Sequence, residues 1–493
     1  MSILNKEYLA PHELQTLQFL CGTHSSMQEV INTVIRQQPG SLALQRLSWS
    51  TLSGLPSQMP YEAPVLPLAL ASAKGAHITD VDHNTYLDCS LGNASMILGH
   101  NPDEVVEVVQ EKLSQGVGIG QLYAEQLHLA QLIQNTVPDI ERVAYLNSSA
   151  EAIAAAVRMA RVVTRKQKVA KFEGCYHGAN AIGLSNPQMI LSGQFPTDAI
   201  DQISPKVATG GFTASEQSDL LILAFNSETA FALIRQHAAD LACIVVDPMP
   251  QFMSNWPEVC KSFIQELCSV AKQAEVAVIF DETQCGFRLM LGGAREWANV
   301  TPDISCYEAS ACGLGVPIAI LAGSAKYLDT ARTSGQFVDY PSAKVWMNSS
   351  TTGNYLAVIA AFAQLSYVAQ GFFSVGAQLD DSHAYLKQRL AKFAVDTGIP
   401  VSIQGHPRLQ LQLSLGKQEP KEQSYRGVMQ SASMSQFRSL MALSFYLRVQ
   451  RVYTKLIPTV NLSTAHQLED LEVLATAIEQ SLLQMSQDQM LAF

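Results

Sequence analysis

Seven short apolar segments between residues 120 and 325 constrain the fold more than any other feature of this sequence. Stretches with helical periodicity separate them, and this alternation is typical of a parallel sheet covered by helices. We therefore predict an α/β fold with a large domain around a mostly parallel sheet and a smaller α+β domain. The predicted strands are 143–146, 169–172, 220–224, 243–246, 276–280, 304–306 and 318–321.

Changes in the spacing of apolar residues along the chain predict a division into four segments. Residues 1–45 have apolar positions at helical spacing and form a helical N-terminal extension. Residues 46–115, with a predicted hairpin at 76–88 and a helix at 102–114, contribute to the small domain. Residues 116–345 form the large domain, and residues 346–493 form the C-terminal small domain.

Composition argues against several classes of partner. The net charge is −11 and no run of Lys and Arg occurs, which disfavours nucleic acid and anionic membranes as partners. No stretch approaches 18 uninterrupted apolar residues, so we expect no membrane span. The nine cysteines are scattered and form no CxxC pair, which favours reduced thiols in a cytoplasmic protein.

The apolar run 276–280 ends at two consecutive carboxylates, Asp281 and Glu282. A parallel strand would deliver Asp281 to its carboxyl end, where open α/β sheets place their ligands. A buried carboxylate needs a cationic or hydrogen-bonding partner, and the protonated ring nitrogen of pyridoxal phosphate (PLP) is one such partner. In the alternative interpretation, Asp281 caps the next helix and Glu282 is solvated.

Three further segments offer polar groups at element boundaries. Residues 147–152 follow a strand and open a helix, where free backbone N–H groups and the helix dipole favour an anion. Residues 172–179 place Tyr176 and His177 between two glycines, a pattern that suits a tight turn presenting a flat ring. Residues 348–354 form a hydroxyl-rich loop. Each signal alone is better explained by an ordinary helix cap, a core Tyr with a His bonded to the backbone, or a surface loop.

In this order, the segments resemble the class III (ω-type) aminotransferases of PLP fold type I, most closely the glutamate-1-semialdehyde aminomutase branch. The resemblance covers roughly residues 65–480. The matching segments are Lys74-Gly75, Asp80-Val-Asp-His-Asn-Thr-Tyr-Leu-Asp88, Met96-Ile-Leu-Gly-His100, Asn147-Ser148 with Glu151-Ala152, Lys171-Phe-Glu-Gly-Cys-Tyr-His-Gly178, Asp281-Glu282 with Gly286-Phe287-Arg288, Leu291-Gly292-Gly293, Thr301-Pro302-Asp303, Pro317 and Thr352-Gly353-Asn354.

The resemblance implies a cofactor, PLP or pyridoxamine phosphate (PMP), and a role for each site residue. Backbone N–H groups of three consecutive residues would hold the phosphate, Asp281 would pair with the pyridine nitrogen, and Thr283 would cover one face of the ring. Tyr176 would stack on the other face, with His177 beside it in the cofactor site. Ser350 stands where the family uses a Thr of the neighbouring subunit, which implies a homodimer. The three phosphate-binding residues would be Ser148, Ser149 and Ala150.

The chain departs from the family at the lysine that forms an imine with the cofactor. Counting six residues forward from Asp303 gives Ala309, and counting back from Pro317 gives Ser310. Because that lysine also moves the proton between substrate and cofactor, its absence predicts a loss of turnover of several orders of magnitude. Either Ala309 replaces a parental lysine, the explanation we favour from the sequence, or the protein is a natural lysine-less relative. The unusual Glu308 and the extra residue before Pro317 argue for the latter.

The substrate-binding positions also differ from the aminomutase pattern. There is no Arg between Arg46 and Arg142 to bind a substrate carboxylate, Leu91 stands for a Trp, and Pro458 stands for an acidic residue. These differences argue against glutamate 1-semialdehyde and suit a less charged, longer or carrier-bound amine or carbonyl substrate.

We predict a homodimeric aminotransferase that transfers an amino group between an amino donor and an aldehyde or ketone, inactive in this form because position 309 is alanine. One alternative is a natural lysine-less enzyme with His177 as its base. Another is a non-catalytic subunit that binds PLP or PMP.

Overall fold

A computed structural model describes residues 11–21, 25–53, 66–116, 120–187, 196–332, 344–416, 420–431 and 433–493. Part of the predicted N-terminal extension, residues 1–10 and 22–24, lies outside these ranges. The chain divides into two compact units, described separately below. The large unit contains residues 103–376 and 421–429, and the small unit contains the rest. The four-part domain division predicted from the sequence stays a prediction.

The large unit contains all seven predicted strands in one seven-stranded sheet, which confirms the α/β prediction. In spatial order the strands are β4, β10, β9, β8, β7, β5 and β6, and only β10 is antiparallel to its neighbours. Their bounds are Arg142–Leu146 (β4), Lys168–Phe172 (β5), Leu220–Leu223 (β6), Leu241–Val246 (β7), Ala277–Asp281 (β8), Ile304–Tyr307 (β9) and Ala319–Gly323 (β10).

Helices cover both faces of this sheet. Alternate residues of a strand point to opposite faces, so Ala319 and Leu321 of β10 join a core with helix α7, whereas Ile320 and Ala322 join one with α6 and α14. Helices that lie wholly or partly in the large unit are Asp103–Ser114 (α5), Ala124–Thr136 (α6), Ser149–Thr164 (α7), Ala181–Leu184 (α8), Ala214–Ser218 (α9), Glu228–Gln236 (α10), Pro257–Gln273 (α11), Gly293–Ala298 (α12), Ala325–Leu328 (α13), Tyr355–Thr397 (α14) and Tyr425–Ser431 (α15).

The small unit is built on two sheets, of order β1-β2-β3-β13 and β11-β12-β14. The predicted hairpin is present as β2 and β3, and His83 adopts a left-handed conformation (φ 61°) in its turn. Strands and helices of this unit are Leu70–Lys74 (β1), His77–Asp80 (β2), Thr85–Asp88 (β3), Val401–Gln404 (β11), Leu411–Leu415 (β12), Val452–Tyr453 (β13), Thr459–Val460 (β14), Pro11–Cys21 (α1), Ser25–Gln37 (α2), Pro39–Thr51 (α3), Leu91–Ala94 (α4), Met434–Val449 (α16) and Leu468–Gln487 (α17).

Helix α14 is 43 residues long, and by length and composition it could cross a membrane. Half of its most apolar stretch is buried in the structure, as in a core helix of a soluble protein. Ala357, Val358 and Ala361 pack in the core beneath the sheet. Packing against the sheet therefore explains the apolar composition of this part of α14.

Candidate active site

Strand β8 places Asp281 at an interior position of the large sheet. Its five residues, Ala277–Asp281, are all buried because parallel strands β7 and β9 flank β8 and helices cover the sheet. Asp281 is the last residue of the strand and only 6% exposed. The carboxyl ends of parallel strands are where α/β proteins bind ligands, so Asp281 lies where the sequence predicted a cofactor contact.

Both oxygens of Asp281 are held by neighbouring side chains. The His177 ring nitrogen Nδ1 lies 2.7 Å from Oδ2, and the Thr283 hydroxyl donates to Oδ1 at 2.5 Å. The backbone N–H of Thr283 also donates to Oδ1, at 3.1 Å. Burial lowers the pKa of His177, although Asp281 acts in the opposite direction, so the ring is neutral at neutral pH. With its orientation fixed, Asp281 retains a lone pair on Oδ2 for a cationic ligand.

The loop that carries Tyr176 and His177 approaches the start of helix α7 very closely. Gly178 has φ +90°, and a Cβ there would lie 2.5 Å from the Cβ of Ala150. Only glycine accommodates both the left-handed backbone and this distance. Gly178 therefore joins the predicted ring-stacking loop to the predicted phosphate site.

Lys171, on β5, supports the same loop from inside the protein. It is completely buried, and its Nζ donates to the backbone carbonyl of Cys175 at 2.6 Å and to that of Ser185. Burial lowers the pKa of Lys171 to about 7. The amine of Lys171 therefore holds the backbone next to Tyr176 in place through these two hydrogen bonds.

The start of α7 is the predicted phosphate site. Ser148 is the N-cap residue, and its hydroxyl accepts the N–H of Glu151 at 3.3 Å. Ser149, the first residue of the helix, acts to lower the pKa of the Glu308 carboxyl. The first backbone N–H groups of a helix have no acceptor within it, so this position favours an anion.

Glu308 is the residue that sequence reasoning left without a role. It is half-buried, and desolvation raises the pKa of its carboxyl, with a further rise from the charge of Asp281. The charge of Glu308 in turn helps to raise the pKa of Tyr176. The available signal was a carboxylate directly before the position where the family has a lysine.

Ala309 lies beside the end of β8. It is 4% exposed, and its backbone N–H donates to the carbonyl oxygen of Thr283 at 3.1 Å. The carbonyl oxygen of Ser310, the other candidate position, accepts from Gln364 of α14 at 2.6 Å. Both positions belong to one short 3₁₀ turn, and Ala309 makes the direct contact with the segment that carries Asp281.

Ser350 lies on an exposed loop next to the start of α7. Its neighbours Ser349 and Thr351 lie 3.3 and 3.4 Å from the side-chain amide nitrogen of Asn147, the residue before Ser148. The two hydroxyl-rich segments picked out from the sequence therefore meet within one chain. The predicted reach of Ser350 into a partner subunit stays a prediction.

Two more carboxyls end neighbouring strands and lie inside the protein. Burial raises the pKa of Asp247, just after β7, to about 8, and the charge of Asp281 adds to the effect. Burial raises the pKa of Glu282 to about 7, and its Oε2 accepts the N–H of Ala294 at 2.5 Å. Glu282 is therefore a buried group that binds the first turn of α12, and the alternative of a solvated Glu282 is wrong.

Comparison with known proteins identifies the class to which this fold and site belong. The sequence profile of the family Aminotransferase class-III matches residues 59–406. The glutamate-1-semialdehyde 2,1-aminomutase of Wigglesworthia glossinidia brevipalpis is 31% identical over 352 residues, which cover 71% of this chain and 76% of that protein. The chain therefore belongs to the class III aminotransferases, the family that the sequence motifs indicated.

Solved structures confirm the fold. An omega-transaminase from Sphaerobacter thermophilus superposes with a TM-score of 0.78 at 22% identity, covering 91% of this chain and 99% of that one. A lysine-to-alanine variant of a glutamate-1-semialdehyde-aminomutase from Pseudomonas aeruginosa PAO1, in complex with PMP, superposes with a TM-score of 0.75 at 18% identity and covers 96% and 99%. The fold is thus PLP fold type I, and PLP is the cofactor of this family.

The residues at this edge of the sheet fit a PLP-type cofactor. Asp281 is an oriented carboxylate suited to a protonated pyridine nitrogen. The first backbone N–H groups of α7 have no acceptor within the helix, and the helix dipole favours a phosphate there.

Proposed function

We propose that this chain binds PLP or PMP without a covalent bond and that its site serves amino-group transfer between small amines and carbonyl compounds. The observation that carries the proposal is the arrangement of Asp281 between His177 and Thr283, with Ala309 bonded to the same segment. A scaffold has no evident need for a buried carboxylate held in this way, because burying a charge is costly without a partner.

Each predicted cofactor contact has a plausible physical task. Asp281 keeps the pyridine nitrogen protonated, and the bound cofactor then supplies an electron sink. Tyr176 lies on the loop fixed by Gly178 and Lys171, where its ring can stack on the cofactor. The backbone N–H groups of Ser148, Ser149 and Ala150 bind the phosphate at the positive end of the α7 dipole.

The missing lysine limits what this chain can catalyse. General acid–base help alone contributes about 10²–10⁴-fold, so we expect transamination to be slower by at least that factor. Lys171 does not replace the lysine, since its Nζ donates to two backbone carbonyls. The lysine-to-alanine variant from Pseudomonas aeruginosa PAO1 is in complex with PMP, which supports the proposal that such a site still holds the cofactor.

The environment of position 309 supports a natural lysine-less site. A single replacement of a parental lysine would alter one residue only. Here Glu308, directly before position 309, is also unusual for the family, and the loop has an extra residue before Pro317. The same differences are compatible with the alternative of a non-catalytic cofactor-binding subunit. His177 is a weak candidate for a substitute base, because its Nδ1 is bonded to Asp281.

The remaining proposals concern substrate, assembly and location. The absence of Arg between Arg46 and Arg142 supports a substrate other than glutamate 1-semialdehyde, less charged and longer or carrier-bound. The family resemblance at Ser350 supports a homodimer. The scattered cysteines support a cytoplasmic location, and the described ones form no disulfide.

Restoring the lysine tests this function. Ala309→Lys is compared with Ser310→Lys and with the unchanged chain, in absorbance spectra with PLP before and after borohydride. We expect only Ala309→Lys to form a borohydride-trappable bond with PLP and to gain amine-dependent turnover. If all three chains bind PLP but Ala309→Lys gains neither property, the turn at 309–311 is not the lysine turn and the non-catalytic subunit becomes the better account.

A further inference from the structure

We propose that the segment 421–429 positions the Tyr176 loop (residues 172–179) for the cofactor ring, with Tyr425 and Arg426 as the positioning residues. The segment belongs to the large unit, whereas the chain on both sides of it belongs to the small unit. Both positioning residues contact the loop a few residues before Tyr176. The inference rests on the proposed function, because it requires that Tyr176 stacks on the cofactor.

Arg426 forms a bidentate ion pair with Glu173 of this loop. Its Nε donates to Oε2 at 2.7 Å and its Nη2 donates to Oε1 at 3.3 Å. The third nitrogen, Nη1, donates to the backbone carbonyl of Asp198. The side chains of Arg426 and Glu173 are only 16% and 7% exposed, so the pair is largely shielded from water. Because a bidentate pair fixes direction as well as distance, Arg426 holds the loop in place three residues before Tyr176.

Tyr425 packs directly against the backbone of Gly174, the next residue of the loop. A Cβ at Gly174 would lie 2.6 Å from Cδ2 and 2.8 Å from Cγ of Tyr425, and 2.9 Å from Cε1 of Phe252. The Tyr425 and Phe252 rings are both buried, with their centroids 5.1 Å apart. Two packed aromatic rings therefore support the loop backbone two residues before Tyr176.

The segment is itself bonded to the large unit, since the side-chain amide of Asn226 donates to the backbone carbonyl of Gln423 at 2.7 Å. Together with the hydrogen bonds from Lys171, these contacts hold residues 173–175 in place. Tyr176 follows directly and is only partly buried, so its ring is accessible to a ligand. Stacking depends on the angle and distance between two rings, so the affinity for the cofactor ring should depend on these contacts.

Arg426→Met combined with Glu173→Gln separates positioning from stability. The single substitution Arg426→Met leaves a carboxylate buried without its partner, whereas the double variant also removes that charge and should regain stability. Neither variant restores the bond between the segment and the loop. We therefore expect both to bind PMP and pyridoxamine about three- to tenfold more weakly than the unchanged chain, which is the contribution of an oriented ring contact. The affinity for inorganic phosphate, which has no ring, should be unchanged.

Arg389→Met combined with Glu479→Gln is the matched control. Arg389 also forms a bidentate pair, with Nε 2.7 Å from Oε1 and Nη2 2.9 Å from Oε2 of Glu479, and both residues belong to the small unit. If the loss of any such pair weakens ligand binding, this control should bind PMP as weakly as the double variant at 173 and 426. If Arg426 positions the ring, the control should bind PMP like the unchanged chain.

The experiment is isothermal titration of the full-length chains with PMP, pyridoxamine and inorganic phosphate, at a temperature where thermal unfolding shows each chain to be folded. Hydrogen exchange of the backbone amides of residues 172–179 is measured on the same chains without ligand. The expected result is faster exchange and weaker binding of PMP and pyridoxamine in the double variant at 173 and 426, which keeps the test valid if Arg426→Met alone does not fold.

The other outcomes separate this inference from the proposed function. If the double variant binds PMP and pyridoxamine as tightly as the unchanged chain, the positioning role is overturned and the cofactor site stands. If no chain binds PMP or pyridoxamine, the proposed function falls, and the role in cofactor binding falls with it. In that case faster exchange in the double variant would still show that the segment holds the loop, and unchanged exchange would overturn that contact as well.

Discussion

Replacing Gly178 by alanine should damage the fold and the cofactor site together. The new Cβ would lie 2.5 Å from the Ala150 Cβ and 2.6 Å from the Ala150 Cα, both at the start of a 16-residue helix. Overpacking of this kind costs about 1–3 kcal/mol. The left-handed backbone at φ +90° adds roughly 1–2 kcal/mol for a residue with a Cβ, giving a total of about 2–5 kcal/mol.

Gly211→Ala separates the two contributions. Gly211 has a similar φ of +97°, but a Cβ there would meet no atom within 4 Å. Its substitution should therefore cost only the backbone term of roughly 1–2 kcal/mol and leave the cofactor site unchanged. Gly178→Ala should also weaken PMP binding, because relief of the clash moves either the Tyr176 loop or the phosphate site.

The assay is the free energy of unfolding in urea, with PMP affinity measured by titration on the folded proteins. The reasoning is refuted if Gly178→Ala costs no more than Gly211→Ala and binds PMP as tightly as the unchanged chain. That result would mean that the start of α7 yields to the new methyl group at no cost.

Three further predictions concern single contacts. Arg426→Met should lower the unfolding free energy by about 3–5 kcal/mol, because it leaves Glu173 buried without the guanidinium that donates to it at 2.7 and 3.3 Å. Adding Glu173→Gln should recover part of this loss, and no recovery would contradict the pairing. The pKa of Asp247 is raised to about 8, so its protonated form favours the fold and its contribution to stability is lost as pH rises from about 4 to 8. Asp247→Asn should therefore reduce the change in Tm between about pH 4 and pH 8. A Tm profile identical to that of the unchanged chain would contradict the raised pKa of Asp247. Thr283→Val removes the 2.5 Å hydrogen bond to Asp281 and should weaken PMP binding about tenfold in titrations, with unchanged affinity counting against the orienting role.

The sheet was predictable because its signal is local. Each strand is a short apolar run bounded by polar residues. Strand β8 is buried on both faces, so every one of its positions before Asp281 is apolar and the run is easy to recognise. Only the boundaries moved, by one or two residues, as hydrogen bonding extended or shortened each strand. The antiparallel direction of β10 was not predicted, since direction depends on how the chain returns to the sheet and not on the composition of the strand.

The site was predictable in part. The placement of Asp281 at a strand end followed from the apolar run before it, and the start of α7 followed from its Ser cap. Which side chains orient Asp281 did not follow, because His177 and Asp281 are 104 residues apart in sequence and meet at 2.7 Å only in the fold.

A crystal structure of the unchanged chain with PMP tests the central claim most directly. The account predicts the pyridine nitrogen within hydrogen-bonding distance of the Asp281 carboxylate and the phosphate at the N–H groups of Ser149 and Ala150. A PMP ring bound elsewhere, away from both Asp281 and the start of α7, would contradict the cofactor site that we propose.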